Sequence, residues 1–359
     1  MSRAKEKRAT IYDIAKEIGI APSSVSKALN DLPSVSNKIK TLVKQKALEL
    51  NYRHNSSAAN LRTGLSKTIG VIVPKINVTF FSDAIAGIEE ACFENNHNLI
   101  ICQSDESFDK EVQAVETLIR QNVDCVIISL SQETRSTNHL QEIINHHVDL
   151  VQFDRVDQTF KSHMIINDNR NASYNAVKHL IDQGYKKIAL LGGPDHMEIY
   201  RERKEGYLNA IKEAGLRIPY TYILDTALNT EATLKNALEL LNSNDPPDAF
   251  FILTGFASLA VLKSAVALGL KIPEEIGIVG YANEAFVEYI SPSLSSVDQK
   301  SKKLGKDAAN IYFNHIVKPA GTIEAAAKFE KLVVESSIII RDSSSRIKTT
   351  ANIGMVLVS

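Results

Sequence analysis

From Thr10 to Leu50 the apolar residues recur three and four apart, in three short runs. Ile11, Ile14, Ala15 and Ile18 share one face of a first helix. Val25, Ala28 and Leu29 share a face of a second, and Ile39, Leu42, Val43, Ala47 and Leu50 a face of a third. The residues between the runs supply stops and starts. Thr10-Ile-Tyr-Asp13 has the form of a capping box, with Asp13 in the first turn where the helix dipole favours an anion. Gly19 is free to take positive φ and end the first helix. Pro22 suits the first turn of the second, because its missing N–H would be unpaired there. Two short helices meeting at a glycine turn, with Ser23, Ser24, Ser26, Lys27 and Asn30 off the buried face, predict a helix-turn-helix that enters a DNA major groove. Lys38, Lys40, Lys44 and Lys46 lie on the outer faces of the third helix, open either to phosphates or to water.

After Thr68 the pattern changes. Buried-type strand runs (68–73, 98–103, 124–129, 149–153, 187–191, 248–253 and 275–281) alternate with amphipathic helical stretches at 81–93, 110–121, 172–183, 199–214 and 256–268. Apolar strands alternating with helices predict parallel sheets with right-handed crossovers. There are too many strands for one small sheet, so two doubly wound lobes are expected. The cleft between them is the natural ligand site.

Between these regions, Asn55 to Arg62 is an eight-residue helical pattern with Asn55 as cap and Ala58 and Leu61 on one side. A helix this short is marginal in water and needs a partner: a second copy, DNA or both. Leu61 could wedge between base pairs from the minor groove, or pack as ordinary linker core.

Composition sharpens the division. Net charge is −1, yet residues 1–65 hold twelve Lys/Arg and five Asp/Glu, and the remaining 294 hold 29 and 37. A cationic head on an anionic body points to a polyanion partner for the head alone. No apolar run approaches the ~20 residues that span a bilayer, and the basic start has no apolar signal segment after it. The three cysteines, Cys92, Cys102 and Cys125, sit in apolar runs and read as reduced core thiols of a cytoplasmic protein, without metal or cofactor. Gly192-Gly193-Pro194 lacks dinucleotide-fingerprint spacing and reads as a turn, and His146-His147 reads as surface. No catalytic constellation can be assigned, which opposes an enzyme. The basic head opposes a transport solute-binding protein.

Several ordered motifs carry a resemblance. They include Thr10-Ile-Tyr-Asp-Ile-Ala, Val25-Ser-Lys-Ala-Leu-Asn30, Leu50-Asn-Tyr52, Leu61-Arg-Thr-Gly64, Ser66 to Pro74, Asp154-Arg155, Arg203-Lys-Glu-Gly206-Tyr207, Gly280-Tyr281 and Pro292 to Gln299. Over roughly residues 8–342 the chain resembles the LacI/GalR family of transcription repressors. The resemblance implies an α/β chain: a three-helix helix-turn-helix head (1–54), a hinge helix and linker (55–66), a two-lobed periplasmic-binding-protein-like core of doubly wound parallel sheets (67–342) and a tail (343–359). It implies DNA contacts from Tyr12, Ser23, Ser24, Ser26, Lys27, Asn30 and Ser34, and a hinge of Asn55, Ala58 and the wedge Leu61. It implies an effector cleft lined by Asn77, Phe80, Phe81, Ser129, Ser131, Asp154, Arg203, Thr254, Asn283 and Gln299. The partners it implies are a near-palindromic double-stranded DNA operator, a small-molecule effector and a second copy of the chain, away from any membrane.

Three departures stand out. The serine that usually precedes Pro22 is Ala21, so the recognition helix lacks a side-chain cap. The family's Asn-Asp after Leu253 is Thr254-Gly255, and its Gly-Phe/Tyr-Asp-Asp is Gly280-Tyr281-Ala282-Asn283. Two acids that commonly hold sugar hydroxyls are absent, which predicts a less anionic pocket and leans the effector toward an acidic sugar derivative.

Overall fold

The computed structural model describes residues 9–52, 65–225, 230–316 and 329–346. The expected hinge residues Asn55, Ala58 and Leu61 lie outside them. Two compact units divide between Ser66 and Lys67.

The first unit is three helices: α1 (Ile11–Ile18), α2 (Pro22–Leu29) and α3 (Asn37–Glu49). The capping box at Thr10 forms in both directions, and Gly19 ends α1 at φ 70. Pro22 opens α2, whose N-cap Ala21 makes no side-chain bond. Ile14, Val25, Ala28 and Val43 are buried at the centre, ringed by partly buried Ile11, Ile18, Leu29, Ile39 and Leu50. Leu42, expected in that core, is 46% exposed. The stripe on α3 is narrower than its apolar residues suggest, because the two preceding helices cover only the Ile39–Val43–Ala47 side.

The second unit holds two six-stranded sheets. The first has the order β11-β5-β4-β3-β1-β2, all parallel: β1 (Thr68–Val73), β2 (Asn98–Gln103), β3 (Cys125–Ile128), β4 (Asp149–Phe153), β5 (His163–Asn167) and β11 (Lys331–Val334). The second has the order β12-β10-β9-β8-β6-β7: β6 (Ile188–Gly192), β7 (Ile223–Asp225), β8 (Ala249–Ile252), β9 (Gly277–Tyr281), β10 (Ser295–Asp298) and β12 (Ser337–Ile339). Only β12 runs antiparallel there, against β10. Helices α4 (Thr79–Glu94), α5 (Phe108–Arg120), α6 (Asn138–Asn145) and α12 (Ser301–Ile311) belong to the first lobe; α7 (Asn169–Asp182), α8 (Glu198–Glu213), α9 (Thr230–Leu241), α10 (Gly255–Ala267) and the one-turn α11 (Phe286–Tyr289) belong to the second. Both faces of each sheet are covered, so β3, β6, β8 and β9 are buried throughout.

The chain crosses between lobes after β5, after β10 and after β11, so α12 returns to the first lobe. It does so at close range. A Cβ on Gly87 of α4 would come 2.0 Å from the Lys302 carbonyl oxygen, and one on Gly305 of α12 would come 2.0 Å from that of Ala84. The glycines let the two helix backbones touch. A buried side chain then joins the three crossings: the Asn167 carboxamide donates to the carbonyls of Gln299 (2.9 Å) and Val334 (3.2 Å). The backbone N–H of Ser336 donates to Asp168 at 2.7 Å.

Cys92 and Cys125 are buried free thiols and Cys102 is partly buried; burial pushes all three up, Cys92 to about 12. His146 and His147 are exposed. The stretch expected to open a tail begins inside the second lobe. Ser343 and Ser344 are fully buried, donating to the Ile278 carbonyl (2.7 Å) and to Ser295 Oγ (2.6 Å), and the Arg346 guanidinium lies 3.9 Å from the Tyr185 ring centre. A serine pair carries no apolar signal, so only its bonding partners reveal that it is core.

Candidate functional site

On the head, the outer faces of α1 and α2 present the expected DNA-contact residues. Tyr12 is 69% exposed. Ser23, Lys27 and Ser34 are exposed, and Ser24, Ser26 and Asn30 are half-buried. The Asn30 amide is already used, donating to the Ser26 carbonyl at 2.7 Å as the end cap of α2. Of the four α3 lysines, three are held by the head itself. Lys40 donates to the Asp31 carbonyl (2.9 Å), Lys44 bonds the Asp31 carboxylate (2.7 Å), and Lys46 pairs with Glu49 (2.6 Å). Surface pairs of this kind are worth little and can be exchanged for phosphates.

Between the core lobes lie two cavities. The larger, about 420 Å³, is walled by the segments 130–137 and 154–159 of the first lobe and 196–202 of the second, with Asn169 at its base. Of the expected effector residues it gathers Ser131 and Asp154. The smaller, about 360 Å³, gathers Phe80, Asn283 and Gln299, with Thr79, Asp83 and Glu284.

Buried charge marks the larger cavity. Asp154 follows β4 with a left-handed φ of 57, a conformation aspartate tolerates. It is 6% exposed, and burial raises its carboxyl above the usual range against the pull of Arg155 and Arg203. Ser129, fully buried, lies beside it and favours the charged form. Arg155 lies 4.0 Å from Asp154, bonds both oxygens of Glu106 at 2.9 and 2.7 Å, and reaches the Tyr200 hydroxyl of the other lobe at 3.5 Å. Its guanidinium also lies 5.6 Å from the Phe81 ring centre, a cation–π contact. Arg155 and Tyr200 are cleft residues that inspection of the sequence missed. Their signal was adjacency to Asp154 and position in the first turn of α8, but neither stands out without the fold.

Arg203 sits lower. It is 4% exposed, its guanidinium stacks 3.7 Å from the Tyr281 ring centre, Nε donates to Asn169 Oδ1 at 2.9 Å, and a terminal nitrogen reaches the Leu253 carbonyl at 3.4 Å. It lines neither cavity, and it braces Asn169 of the larger one. Ser131 is likewise tied down: its hydroxyl donates to Glu111 at 2.7 Å and shares a hydrogen bond with the Ser104 hydroxyl at 2.8 Å. Burial pushes Glu111 up, but bonds from His139, Ser131 and Thr134 win and hold it below its ordinary value. This knot of Glu111, Ser104 and Thr134 fixes the 131–137 wall.

At the smaller cavity, Phe80 stands edge-on to Phe81 with ring centres 5.1 Å apart. Asn283 accepts from Arg341 at 2.8 Å. The Gln299 side chain donates to Asn167 at 3.4 Å, so it belongs to the crossings as much as to the cavity. Thr254 caps α10 without a side-chain bond, and Asn77 is exposed on the loop before α4. Among the described residues no cluster of His, Cys, Asp and Glu could hold a metal, and no helix is long and apolar enough to cross a membrane.

The family model of bacterial regulatory proteins, lacI family, matches residues 10–55, and that of a periplasmic binding protein-like domain matches 177–344. The HTH-type transcriptional repressor PurR of Vibrio vulnificus is 30% identical over 310 residues, 86% of this chain and 92% of that protein. The chain belongs to the lacI family of bacterial regulatory proteins. This regulator is therefore a DNA-binding transcription protein and not an enzyme. Its fold is also that of the lac repressor, solved as a dimer bound to operator and the anti-inducer ONPF. That structure matches with a TM-score of 0.81 at 22% identity, over 94% of this chain and 99% of that one. A lacI-family regulator from Enterococcus faecium, solved with bound ribose, matches with a TM-score of 0.68 at 26% identity, over 78% of this chain and 100% of that one.

Proposed function

We propose that this regulator is a cytoplasmic homodimeric repressor whose grip on operator DNA is set by a sugar or sugar derivative held between the core lobes. The observation that carries the reading is the cleft itself. Asp154 and Arg155 of the first lobe and the 196–202 segment of the second wall a cavity of about 420 Å³, beside a second of about 360 Å³ in the same cleft, the size range of small-molecule sites. A buried carboxylate accepts hydroxyl hydrogen bonds, and Phe80 at the smaller cavity offers an aromatic face to a sugar ring. The ribose bound by the Enterococcus faecium relative supports the same ligand class.

The head supplies DNA contact: Tyr12, Ser23, Ser24, Ser26, Lys27, Asn30 and Ser34 face outward from a helix-turn-helix, and two copies would read the half-sites of a near-palindrome. Asn55, Ala58 and Leu61 form the hinge in this reading, ordered when paired on DNA, with Leu61 as a minor-groove wedge. Lobe closure on the effector changes the spacing of the two hinges, with coupling of about 1–3 kcal/mol.

A gel shift with duplexes from the gene's own upstream region tests the reading. Binding should be specific, should weaken steeply with salt, and should respond to a sugar. Leu61→Ala should weaken specific binding far more than nonspecific binding, since it removes a wedge and no charge. Equal losses on both DNAs would remove the wedge, and a salt-insensitive, sequence-blind shift would sink the operator reading.

A further inference from the structure

Two substitutions that look like losses in the sequence lie beside one buried glutamate, one in space and one along the chain. Gly255 stands where the family usually carries an acid, and so does Ala282. In the fold, Gly255 is the first residue of α10, and Ala282 follows β9 with a left-handed φ of 74. That turn of the backbone precedes Glu284, which is only 4% exposed and lines the smaller cavity. A Cβ placed on Gly255 would lie 2.7 Å from Glu284 Oε1 and 3.0 Å from its carboxyl carbon. The carboxylate of Glu284 thus fills the volume that a side chain at 255 would occupy. It rests at the amino end of a thirteen-residue helix, where the dipole favours an anion.

This carboxylate has spare capacity. Among the described residues its hydrogen-bond donor is the Thr79 hydroxyl of the other lobe, at 3.4 Å. Two carboxylate oxygens offer about four acceptor sites. Burial and the neighbouring Asp83 raise its carboxyl above the usual range, with Thr79 opposing. Asp83 of the first lobe lines the same cavity, while Asp154 lines the larger one. The buried cations are committed: Arg155 to Glu106, and Arg203 to Asn169, Leu253 and the Tyr281 ring. Two of the three lysines at the smaller cavity pair with acids of their own lobe, Lys302 with Glu90 and Lys303 with Asp307. In the smaller cavity an anionic ligand would meet the buried Glu284 carboxylate with Asp83 beside it, whereas hydroxyls would find acceptors there.

We propose that Glu284, seated in the space Gly255 leaves open, is the ligand-binding carboxylate of the second lobe, and that it selects a neutral polyhydroxylated effector over an anionic one. This rests on the effector reading above and corrects the lean toward an acidic sugar. The acid is relocated, not lost.

The test has a ligand-free arm and a ligand arm, both on the full chain. In thermal melts, Gly255→Ala should lower the core midpoint in the native background and lower it much less in Glu284→Ala, because the added methyl no longer meets the carboxylate. Equal lowering in both backgrounds overturns the seat. In calorimetric titrations the probes are D-ribose, D-glucose, D-galactose and cellobiose, set against ribose 5-phosphate, glucose 6-phosphate and D-glucuronate. A neutral probe should bind at least 10-fold tighter than its charged counterpart. Glu284→Gln should weaken it at least 10-fold, and Gly255→Asp in Glu284→Ala should recover part of that loss. Tighter binding of the charged set, or unchanged binding by Glu284→Gln, overturns the proposal while leaving the effector reading standing. Binding of no probe, with the 255–284 coupling present, overturns the sugar reading and the ligand assignment together.

Discussion

In the head, the bonds that set the helices join near neighbours: Thr10 to Asp13, Asn30 to Ser26, and Lys44 to Asp31 thirteen residues away. In the core, Thr79 meets Glu284 across 205 residues, and Asn167 meets Gln299 across 132 and Val334 across 167. One unit is assembled from local rules, the other from closures that must wait for most of the chain. Local contacts form fast and are readable in sequence; distant ones form late and are not. The contrast extends to burial. Among the described residues the head buries six apolar side chains, four of them completely, and its outer face stays in water, while the core hides whole strands and several charged side chains.

The contrast can be broken at its strongest point first. Gly87→Ala should destabilise the core by more than about 3 kcal/mol, past the usual cost of overpacking, because the new methyl meets a backbone carbonyl that cannot step aside. Calorimetry should show the core transition falling while the head transition holds. A core that melts normally would mean that α4 and α12 have room to part.

Ile14→Ala removes the fully buried centre of the head and should cost about 2–4 kcal/mol, enough to unfold much of so small a unit. DNA binding should fail while binding of the proposed effector persists. Loss of both would show that the two units do not act separately.

Ala21→Ser restores the missing side-chain cap on α2 and should stabilise the head by about 1 kcal/mol. The head midpoint in chemical denaturation reads this directly, and no change would indicate that water already satisfies that helix end.

The smallest effect depends on pH. Burial and the neighbouring Asp124 push Asp149 up to about 6, from an ordinary 3.8. The folded core therefore binds this proton more tightly than the unfolded chain. That contribution is present in full below the unfolded value and is lost as pH rises through the folded one. Asp149→Asn should flatten the decline in core melting temperature between about pH 4 and 6 and leave the variant a few degrees higher at neutral pH. A decline of unchanged slope would assign it to other groups.

The legible part of the core followed the same division. Strands such as β1, β4 and β8, buried on both faces, appear as continuous apolar runs and were placed within a residue or two of their observed bounds. The strands β5, β7, β10, β11 and β12 were not anticipated. Two of them are three residues long, and β10 reads Ser-Ser-Val-Asp, whose burial depends on bonds to Ser343, Ser344 and Arg341 rather than on apolar character. In the cleft, Asp154 and Phe80 line cavities at positions that the resemblance marks. Arg155, Tyr200 and Glu284 carry no such mark, because each is defined by what it meets on the opposite lobe. Arg203 is marked too, but its surroundings make it a buried support of Asn169 at the larger cavity.

The sequence by itself determined the head, its caps and turn, the division of charge between the two regions and the alternation that makes two parallel sheets. These depend on periods of a few residues and on the conformational limits of Gly, Pro and Thr, which act wherever they occur. Tertiary structure alone decided which carboxylates face the cleft, which partners hold the buried arginines and how three crossings are joined by one asparagine. Those outcomes are distances between segments far apart in the chain. A glycine at 255 acquires meaning only when a glutamate twenty-nine residues later is seen to occupy its space.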